Sequence, residues 1–204
     1  MVVTPDKQAL LAKWNRIYTD TSTTDEAAAS VLADYAHLLP PRGKALDLAC
    51  GLGANALFLA RRGLDTEAWD LSPVAIDKLR ERAGRHRLSI RARAADVEAT
   101  DIGRERFDVI VVVRFLERKL APAIVAALKP GGLLLYQTFT AEKVAEVGPS
   151  NPAYLLQANE LLSLFSGLRI LAYREEGRVG DCSKGLRNEA FLIGQRLVRS
   201  PASA

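Results

Sequence analysis

The chain has 204 residues, a net charge of +4 and a pI of about 9.2, with 49% apolar and 25% charged residues. This length supports one domain with a sizeable core, and the composition is that of an ordinary globular protein. The first 18 residues carry charges every few positions, which argues against a signal peptide or a membrane span there. We therefore expect a cytoplasmic protein.

Few residues are available for metal or triad chemistry. The only cysteines are Cys50 and Cys182, neither in a CxxC pattern, and the only histidines are His37 and His86. No Cys/His metal site is predicted, and two cysteines make no disulfide framework, although one disulfide stays open. Cys50 is expected to be a small buried residue rather than a nucleophile, because no base is readable beside it.

The chain begins with two predicted helices. Residues 5–19 place Leu10, Leu11, Trp14, Ile17 and Tyr18 on one side, and residues 25–38 start at cap-like threonines and end before two prolines. Strands and helices then alternate. The predicted strands are 44–50, 65–71, 88–96, 107–113, 131–139, 168–176 and 187–197, and the helices are 54–63, 73–85, 119–128 and 158–165.

This alternation predicts an α/β fold, a doubly wound and mostly parallel seven-stranded sheet covered on both faces. The last two strands are joined by a loop alone, so they are expected to form an antiparallel pair at one edge of the sheet. We expect a single domain in which residues 1–40 form an N-terminal helical lid, 43–197 the α/β core and 198–204 a disordered tail.

A glycine turn follows the first strand of the sheet in "ALDLACGLG", residues 45–53. Glycines allow a sharp turn and close approach of a ligand, at the sheet edge where such folds bind ligands. With Ala56, the segment also matches a dinucleotide fingerprint. Asp47, four residues before Gly51, opposes that interpretation, because a pyrophosphate site favours amides without a nearby carboxylate. A carboxylate there suits a ligand with a cationic end, or fixes the loop by accepting its amides.

The segment "LDLACGLGANALFLARRG" resembles the first motif of class I S-adenosylmethionine-dependent methyltransferases. Three later segments fit the same family, in its order and spacing: "AWDLSP", "AADVE" and "LKPGGLLLY". The resemblance implies a Rossmann-like methyltransferase fold with S-adenosyl-L-methionine as cofactor. It implies that Asp70 binds the ribose hydroxyls, although Asp70 could instead cap the next helix, and that Asp96 and Val97 contact adenine, although Asp96 could be a turn residue. The other cofactor contacts it implies are Asp47, Ala49, Gly51, Gly53, Asn55, Leu71 and Val113.

The segment "KWNRIYTD" resembles the opening of the tellurite-resistance and thiopurine methyltransferase group, in which the N-terminal segment covers the cofactor. The resemblance makes Trp14, Arg16 and Tyr18 candidates for a lid, with Arg16 pairing with the methionine carboxylate. Plain packing of Trp14 and Tyr18 on the sheet is the alternative. Residues 141–158 have the composition of an active-site flap.

The segment after the fourth strand faces the substrate in this family. Here it reads "VVVRFLERKL", with neither the Asn/Asp-Pro-Pro-aromatic motif of enzymes that methylate exocyclic amines nor a cysteine for cytosine C5 methylation. Arg114, Phe115 and Arg118, together with Tyr18, are candidates for the substrate rim, suited to an anionic small molecule. The alternative is that both arginines lie on a solvent-facing helix edge.

The favoured hypothesis is methyl transfer by in-line displacement to a small-molecule thiol, metalloid oxyanion or organic acid, by a monomer or homodimer without a metal or a membrane. An RNA methyltransferase is the first alternative, because residues 78–94 are rich in arginine, although aromatic residues are absent there. A cofactor-binding regulatory protein without transfer activity is the second, and an NADP-dependent reductase the third.

Overall fold

The computed structural model describes residues 5–22 and 27–198. The predicted cap-like threonines at 23 and 24 and almost all of the predicted tail lie outside these ranges. The helices are α1 (Pro5–Asp20), α2 (Ser30–Asp34), α3 (Ala54–Arg61), α4 (Pro73–Arg85), α5 (Ala121–Ala127) and α6 (Glu160–Leu164). The strands are β1 (Lys44–Leu48), β2 (Asp65–Asp70), β3 (Ile90–Ala94), β4 (Phe107–Val113), β5 (Leu128–Phe139), β6 (Arg169–Arg174) and β7 (Glu189–Gln195).

The strands form one seven-stranded sheet in the order β3-β2-β1-β4-β5-β7-β6. β1 pairs parallel to β2, β2 to β3 and β4 to β5, whereas β7 pairs antiparallel to both β5 and β6. Among β4, β5, β7 and β6, β7 therefore runs opposite to the other three strands. The predicted fold class is confirmed, and so is the antiparallel pair at one edge of the sheet.

The contacts divide the chain into two compact units. The first combines the described residues up to Ala28 with Pro41–Asp101, and the second combines Ala29–Pro40 with the described residues from Ile102 onward. In the first unit, α3 and α4 pack apolar side chains such as Leu57, Ile76 and Leu79 into one buried cluster. The predicted division into lid, core and tail stays a prediction.

The second predicted helix, 25–38, is wrong in its bounds. Helix α2 begins at Ser30 and ends at Asp34, and a separate 3-10 turn follows at Ala36–Leu38, because Ala29 and Tyr35 have non-helical backbone angles.

Two further boundaries differ from the sequence prediction for reasons of backbone conformation. β1 ends at Leu48 rather than at residue 50, because Ala49 adopts a left-handed φ of 57°. β5 begins at Leu128, where a helix end and then a turn were expected. The partner of Phe107 is Leu128, but the partner of Val109 is Leu133, so the intervening residues bulge out of the strand.

Glycines make this bulge possible. Gly131 has a φ of 82°, and a Cβ at Gly132 would lie 2.9 Å from the Lys129 carbonyl oxygen and 3.0 Å from that of Phe107. Lys129 Nζ also donates to Asp108 Oδ2 at 2.8 Å across the bulge.

None of the described helices has both the length and the apolar character that crossing a membrane requires.

Candidate functional site

Asp47 is buried in β1 directly below the glycine turn. Its side chain is 1% exposed, and its Oδ2 accepts a hydrogen bond from the Ala56 amide at 2.9 Å. Among the described residues, no hydrogen-bond donor reaches Oδ1. Burial raises the pKa of this carboxyl group to about 7, against the opposing effects of the Ala56 amide and the Asn55 side chain. The site thus holds a carboxyl oxygen that a donor or cation would satisfy.

The turn between β1 and α3 uses three left-handed residues, which are Ala49 (φ 57°), Gly51 (φ 51°) and Gly53 (φ 79°). Within it, the Gly53 amide donates to the Cys50 carbonyl oxygen at 2.9 Å. The two glycines were predicted to form this turn, whereas the left-handed alanine was not.

Asp70 ends β2 beside the same turn. Its Oδ2 accepts from the Gly51 amide at 2.8 Å and its Oδ1 from the Ser72 amide at 2.9 Å. Burial raises its pKa, while the amides of Ser72, Gly51 and Leu71 oppose that effect. Ser72, not Asp70, caps α4, because its hydroxyl accepts from the Ala75 amide at 3.2 Å. Each Asp70 oxygen retains capacity for a second donor.

These contacts bear on which ligand suits the turn. Amides at a glycine turn bind a pyrophosphate when they point at it unobstructed. Here the Gly51 amide donates to Asp70 and the Ala56 amide to Asp47, so two carboxylates use the donors that a dinucleotide would need. The donor and acceptor set fits a ligand with hydroxyl groups and a cationic end.

Asp96 and Val97 follow β3. Val97 is buried, and Asp96 Oδ1 accepts from the Glu98 amide at 3.1 Å, which is the turn role considered above. Asp96 Oδ2 forms an ion pair with Lys7 of α1, whose ammonium also lies 3.4 Å from Glu98 Oε2. Lys7 was not predicted, because an ion pair across 89 residues leaves no local pattern in the sequence.

Helix α1 lies on α4 and reaches the glycine turn. The Ser72 hydroxyl donates to Asn15 Oδ1 at 2.6 Å, and Lys78 Nζ donates to the last carbonyls of α1. Tyr18 lies against the turn, since a Cβ at Gly51 would be 3.0 Å from its hydroxyl. Trp14 stacks on Tyr18 with the ring centroids 5.5 Å apart. Of the predicted lid residues, Tyr18 thus adjoins the turn, Trp14 packs on Tyr18, and Arg16 has an exposed side chain. Their role as a lid stays a prediction.

The remaining predicted contacts are spread over both units. Asn55 is buried at the start of α3, and Leu71 is half-buried between Asp70 and Ser72. Val113 is half-buried at the end of β4, in the second unit. Their contacts with a cofactor stay predictions.

In the second unit, Arg114 follows β4 with a left-handed φ of 54°. Its Nε donates to Glu189 Oε1 at 2.8 Å, and its guanidinium lies 5.7 Å from the Phe139 ring centroid. Glu189 is buried and also accepts from the Gln137 amide nitrogen. The side chain of Arg114 is 66% exposed, so the guanidinium is oriented by a buried carboxylate and remains accessible.

Gln137 extends this network to α2. Its Oε1 accepts from the Val31 amide at 3.0 Å and from the Ser30 hydroxyl at 3.2 Å. Sequence reasoning missed Glu189 and Gln137. The sequence did contain a signal for both, because each is a polar residue in an otherwise apolar strand. Glu189 begins β7, and Gln137 lies inside β5.

The guanidinium of Arg118 is occupied by hydrogen bonds within the second unit. It forms a two-pronged ion pair with Glu160 at 2.6 and 3.0 Å, which lowers the pKa of that carboxyl group, and it donates to the carbonyls of Ala153 and Leu155. These contacts hold the end of the predicted flap. Phe115 is half-buried, and its carbonyl accepts from the Tyr136 hydroxyl at 2.8 Å. Of the predicted rim in this unit, Arg114 has the most accessible functional group.

The two cysteines form no disulfide with each other. Cys50 is buried, which raises the pKa of its thiol, and Cys182 is exposed, and both are free thiols. The part of the chain that the structure describes contains no group of three or more His, Cys, Asp or Glu residues arranged for a metal ion.

The chain is similar to known proteins over most of its length. Residues 11–190 match the family described as "Tellurite resistance protein TehB". The chain is 35% identical over 140 residues to "Hemagglutinin 1" of Eikenella corrodens, covering 65% of this chain and 46% of that protein. It is 31% identical over 152 residues to the "Probable S-adenosyl-L-methionine-dependent methyltransferase TehB" of Haemophilus influenzae Rd, covering 71% of this chain and 52% of the relative. The chain spans about half the length of these curated relatives.

A solved structure supports the fold. The crystal structure of TehB from Haemophilus influenzae superposes with a TM-score of 0.67 at 24% sequence identity, covering 90% of this chain and 67% of that one. At this identity, the likeness concerns the fold alone.

Proposed function

The chain belongs to the TehB family of S-adenosyl-L-methionine-dependent methyltransferases, and from this premise we propose that it transfers a methyl group from that cofactor to a small-molecule acceptor. The observation that carries the proposal is the arrangement of Asp47 and Asp70 around the glycine turn. Both carboxylates accept turn amides, and Asp47 keeps a buried oxygen for a further donor.

The proposed roles of the site residues follow from their chemistry. Asp70 would accept the two ribose hydroxyls, since a carboxylate has the acceptor geometry for a vicinal diol. Asp47 would face the cationic amino group, and Asp96 with Val97 would contact the adenine. The bound cofactor supplies an electrophilic methyl group on a sulfonium. The chain then has to align the acceptor in line with that methyl group and exclude water.

Arg114 supports an anionic acceptor. Its guanidinium is held at Nε by Glu189 while the side chain stays largely exposed, so its terminal nitrogens can take a carboxylate or an oxyanion. A thiolate or an oxyanion carries no proton that must leave, so methylation of either needs no catalytic base. We therefore rank metalloid oxyanions, including tellurite in view of the family description, with thiols and organic acids as acceptors to test.

The contacts of the basic stretch do not favour RNA as the acceptor. Five of its seven lysine and arginine side chains are engaged within the first unit. Arg82 donates to Leu52, Lys78 to the end of α1, Arg80 to Asp77 and Ala92, and Arg91 to Asp65, and Arg93 lies over Trp69.

Thermal shift measurements test the cofactor. S-adenosylhomocysteine at about 100 times its Kd should stabilise the protein by about 2.7 kcal/mol, and NADPH should not. Asp70→Ala should lose most of that affinity while remaining folded, whereas Asp77→Ala, an exposed carboxylate of α4, should keep it. A folded wild-type protein that responds to neither S-adenosylhomocysteine nor S-adenosylmethionine would refute the proposal.

Transfer itself is tested by incubating the protein with labelled methyl cofactor and a panel of thiols, metalloid oxyanions, organic acids and RNA. Label in a small molecule supports the proposal, and label in RNA favours the first alternative. Cofactor binding without transfer to any acceptor favours a regulatory protein. The cytoplasmic location and the monomeric or homodimeric state stay predictions, which cell fractionation and sedimentation would check.

A further inference from the structure

Arg82 of α4 is buried to an unusual degree for an arginine. Its side chain is 1% exposed, and it sits on a helix face whose other buried members are apolar, including Ile76, Leu79 and Ala83. Arginine is almost never fully buried unless it is paired, because removing a guanidinium from water costs free energy that only good hydrogen bonds offset. The position therefore calls for a specific role.

The guanidinium of Arg82 binds the glycine turn. Its Nη1 donates to the Leu52 carbonyl oxygen at 2.7 Å, a short, charge-assisted hydrogen bond. Leu79, one helical turn earlier, packs so closely on Gly53 that any Cβ there would overlap its methyl groups. Two residues of α4, three positions apart, thus support the turn from the same side.

The peptide between Leu52 and Gly53 has a glycine on one side, which lowers the steric barrier to a change of its conformation. Both Gly51 and Gly53 have left-handed φ angles, and glycine moves readily between such conformations because it lacks a side chain. In the structure, both ends of this peptide are held. Its N–H donates to the Cys50 carbonyl oxygen at 2.9 Å, and its C=O accepts from Arg82. A peptide flip would break both bonds.

We propose that Arg82 is a positioning residue for cofactor binding, which locks the Leu52–Gly53 peptide in one orientation. The locked peptide keeps the Gly51 amide directed at Asp70 and leaves the outer face of the turn shaped for the cofactor. The inference rests on the proposed function, because it concerns the affinity of the same site. It predicts that the turn is ordered before the cofactor binds, so that little free energy is spent on ordering it.

The test compares Arg82→Met, which keeps most of the volume but no donor, with Arg82→Lys, which keeps a charged donor. Because a hydrogen bond from a charged group contributes about 1.5–3 kcal/mol, Arg82→Met should raise the Kd for S-adenosylhomocysteine by about tenfold or more. Arg82→Lys should restore much of the affinity. Calorimetric titration well below the melting temperature measures both on folded protein.

Hydrogen exchange gives a readout independent of the ligand. In Arg82→Met without ligand, the Gly53 amide should exchange faster than in the wild type, since its bond to Cys50 is no longer supported. Ile124→Val, a buried change in the second unit, is the matched control for lost stability and should alter neither the Kd nor the Gly53 exchange.

Arg82→Met with a Kd within about twofold of the wild type and unchanged Gly53 exchange would overturn the inference. If Arg82→Met does not fold, Arg82→Gln replaces it, because its side chain is too short to keep the contact with Leu52. Arg82→Gln must then show both the raised Kd and the faster Gly53 exchange. If it shows neither, the inference is overturned equally. A wild-type protein that binds no S-adenosylhomocysteine would refute the proposed function instead, while the Gly53 exchange would still report whether Arg82 holds the turn.

Discussion

The protonation of Asp47 links the stability of the fold to pH. Burial raises the pKa of this carboxyl group from 3.8 to about 7, so the folded chain keeps this proton to a higher pH than the unfolded chain does. Stability from this group is fully present below pH 3.8 and is lost as the pH rises through about 7. The total loss corresponds to about 4 kcal/mol, because each pKa unit is about 1.4 kcal/mol.

Asp47→Asn should remove this dependence. Relative to the variant, the wild type should lose about 3 kcal/mol of unfolding free energy between pH 5 and pH 8. Urea unfolding of both proteins across that range measures the difference. Parallel pH profiles would mean that Asp47 is ionised in the folded protein throughout.

Gly53 combines a left-handed φ with a crowded environment. Gly53→Ala should destabilise the protein by about 2–4 kcal/mol, since the new methyl group is strained and collides with Leu79. Gly84→Ala is the control, because Gly84 lies in α4 with open space around it. That change should be neutral or stabilise by up to about 1 kcal/mol. Equal effects of the two changes in chemical denaturation would contradict the assignment.

At the scale of elements, the periodicity of apolar residues was sufficient to predict the strands, most of the helices and their succession along the chain. The apolar runs bounded by glycine or proline correspond to observed strands. Ser72 and Pro73 marked the start of α4 correctly. The boundaries of β1 and β5 were predicted wrongly because neither is signalled by residue type. Ala49 turns left-handed without a residue type that signals it, and the β5 bulge depends on pairing with β4, which is a non-local property.

Helix α1 ends on a lysine from another helix. Lys78 Nζ donates to the carbonyls of Tyr18, Thr19 and Thr21, so it satisfies groups that the last turn of a helix leaves open. It also places a positive charge at the negative end of the α1 dipole. This contact holds the end of α1 that carries Tyr18 next to Gly51.

Lys78→Met should therefore loosen the last turn of α1. The amides of residues 17–21 should exchange about 5–10-fold faster, which corresponds to about 1 kcal/mol. Hydrogen exchange with mass spectrometry measures this, and Arg85→Met, an exposed change on the same helix, is the control. If both variants behave alike, Lys78 does not anchor the helix.

For the whole molecule, the sequence located the candidate residues of the first unit better than the residues that orient Arg114 in the second unit. Asp47, Asp70 and Asp96 lie where a family pattern with fixed spacing put them, because local turns hold them near their strands. Glu189 and Gln137, which orient Arg114, lie 75 and 23 residues away from it and belong to no motif. Side chains gathered by the fold rather than by neighbouring residues could not be predicted from a single sequence.

The charge of the whole chain predicts weak and salt-sensitive RNA binding. A net charge of +4 attracts polyanions, but most of the basic stretch already has partners. Fluorescence polarisation with single-stranded RNA should show binding at about 50 mM salt that falls by an order of magnitude or more at about 200 mM. Arg85 and Arg87, both exposed, should account for much of it when both are changed to alanine. Tight, salt-resistant binding would revive the RNA alternative.

The two tryptophans of the chain give it a built-in optical readout. Trp69 is fully buried beneath the guanidinium of Arg93, 3.8 Å from its ring centroid, whereas Trp14 is half-buried on α1 and stacked on Tyr18. Trp69→Phe would leave Trp14 as the single indole fluorophore, on the helix that lies against the glycine turn. Its emission wavelength and quenching by iodide would then follow α1 in real time, with no attached dye.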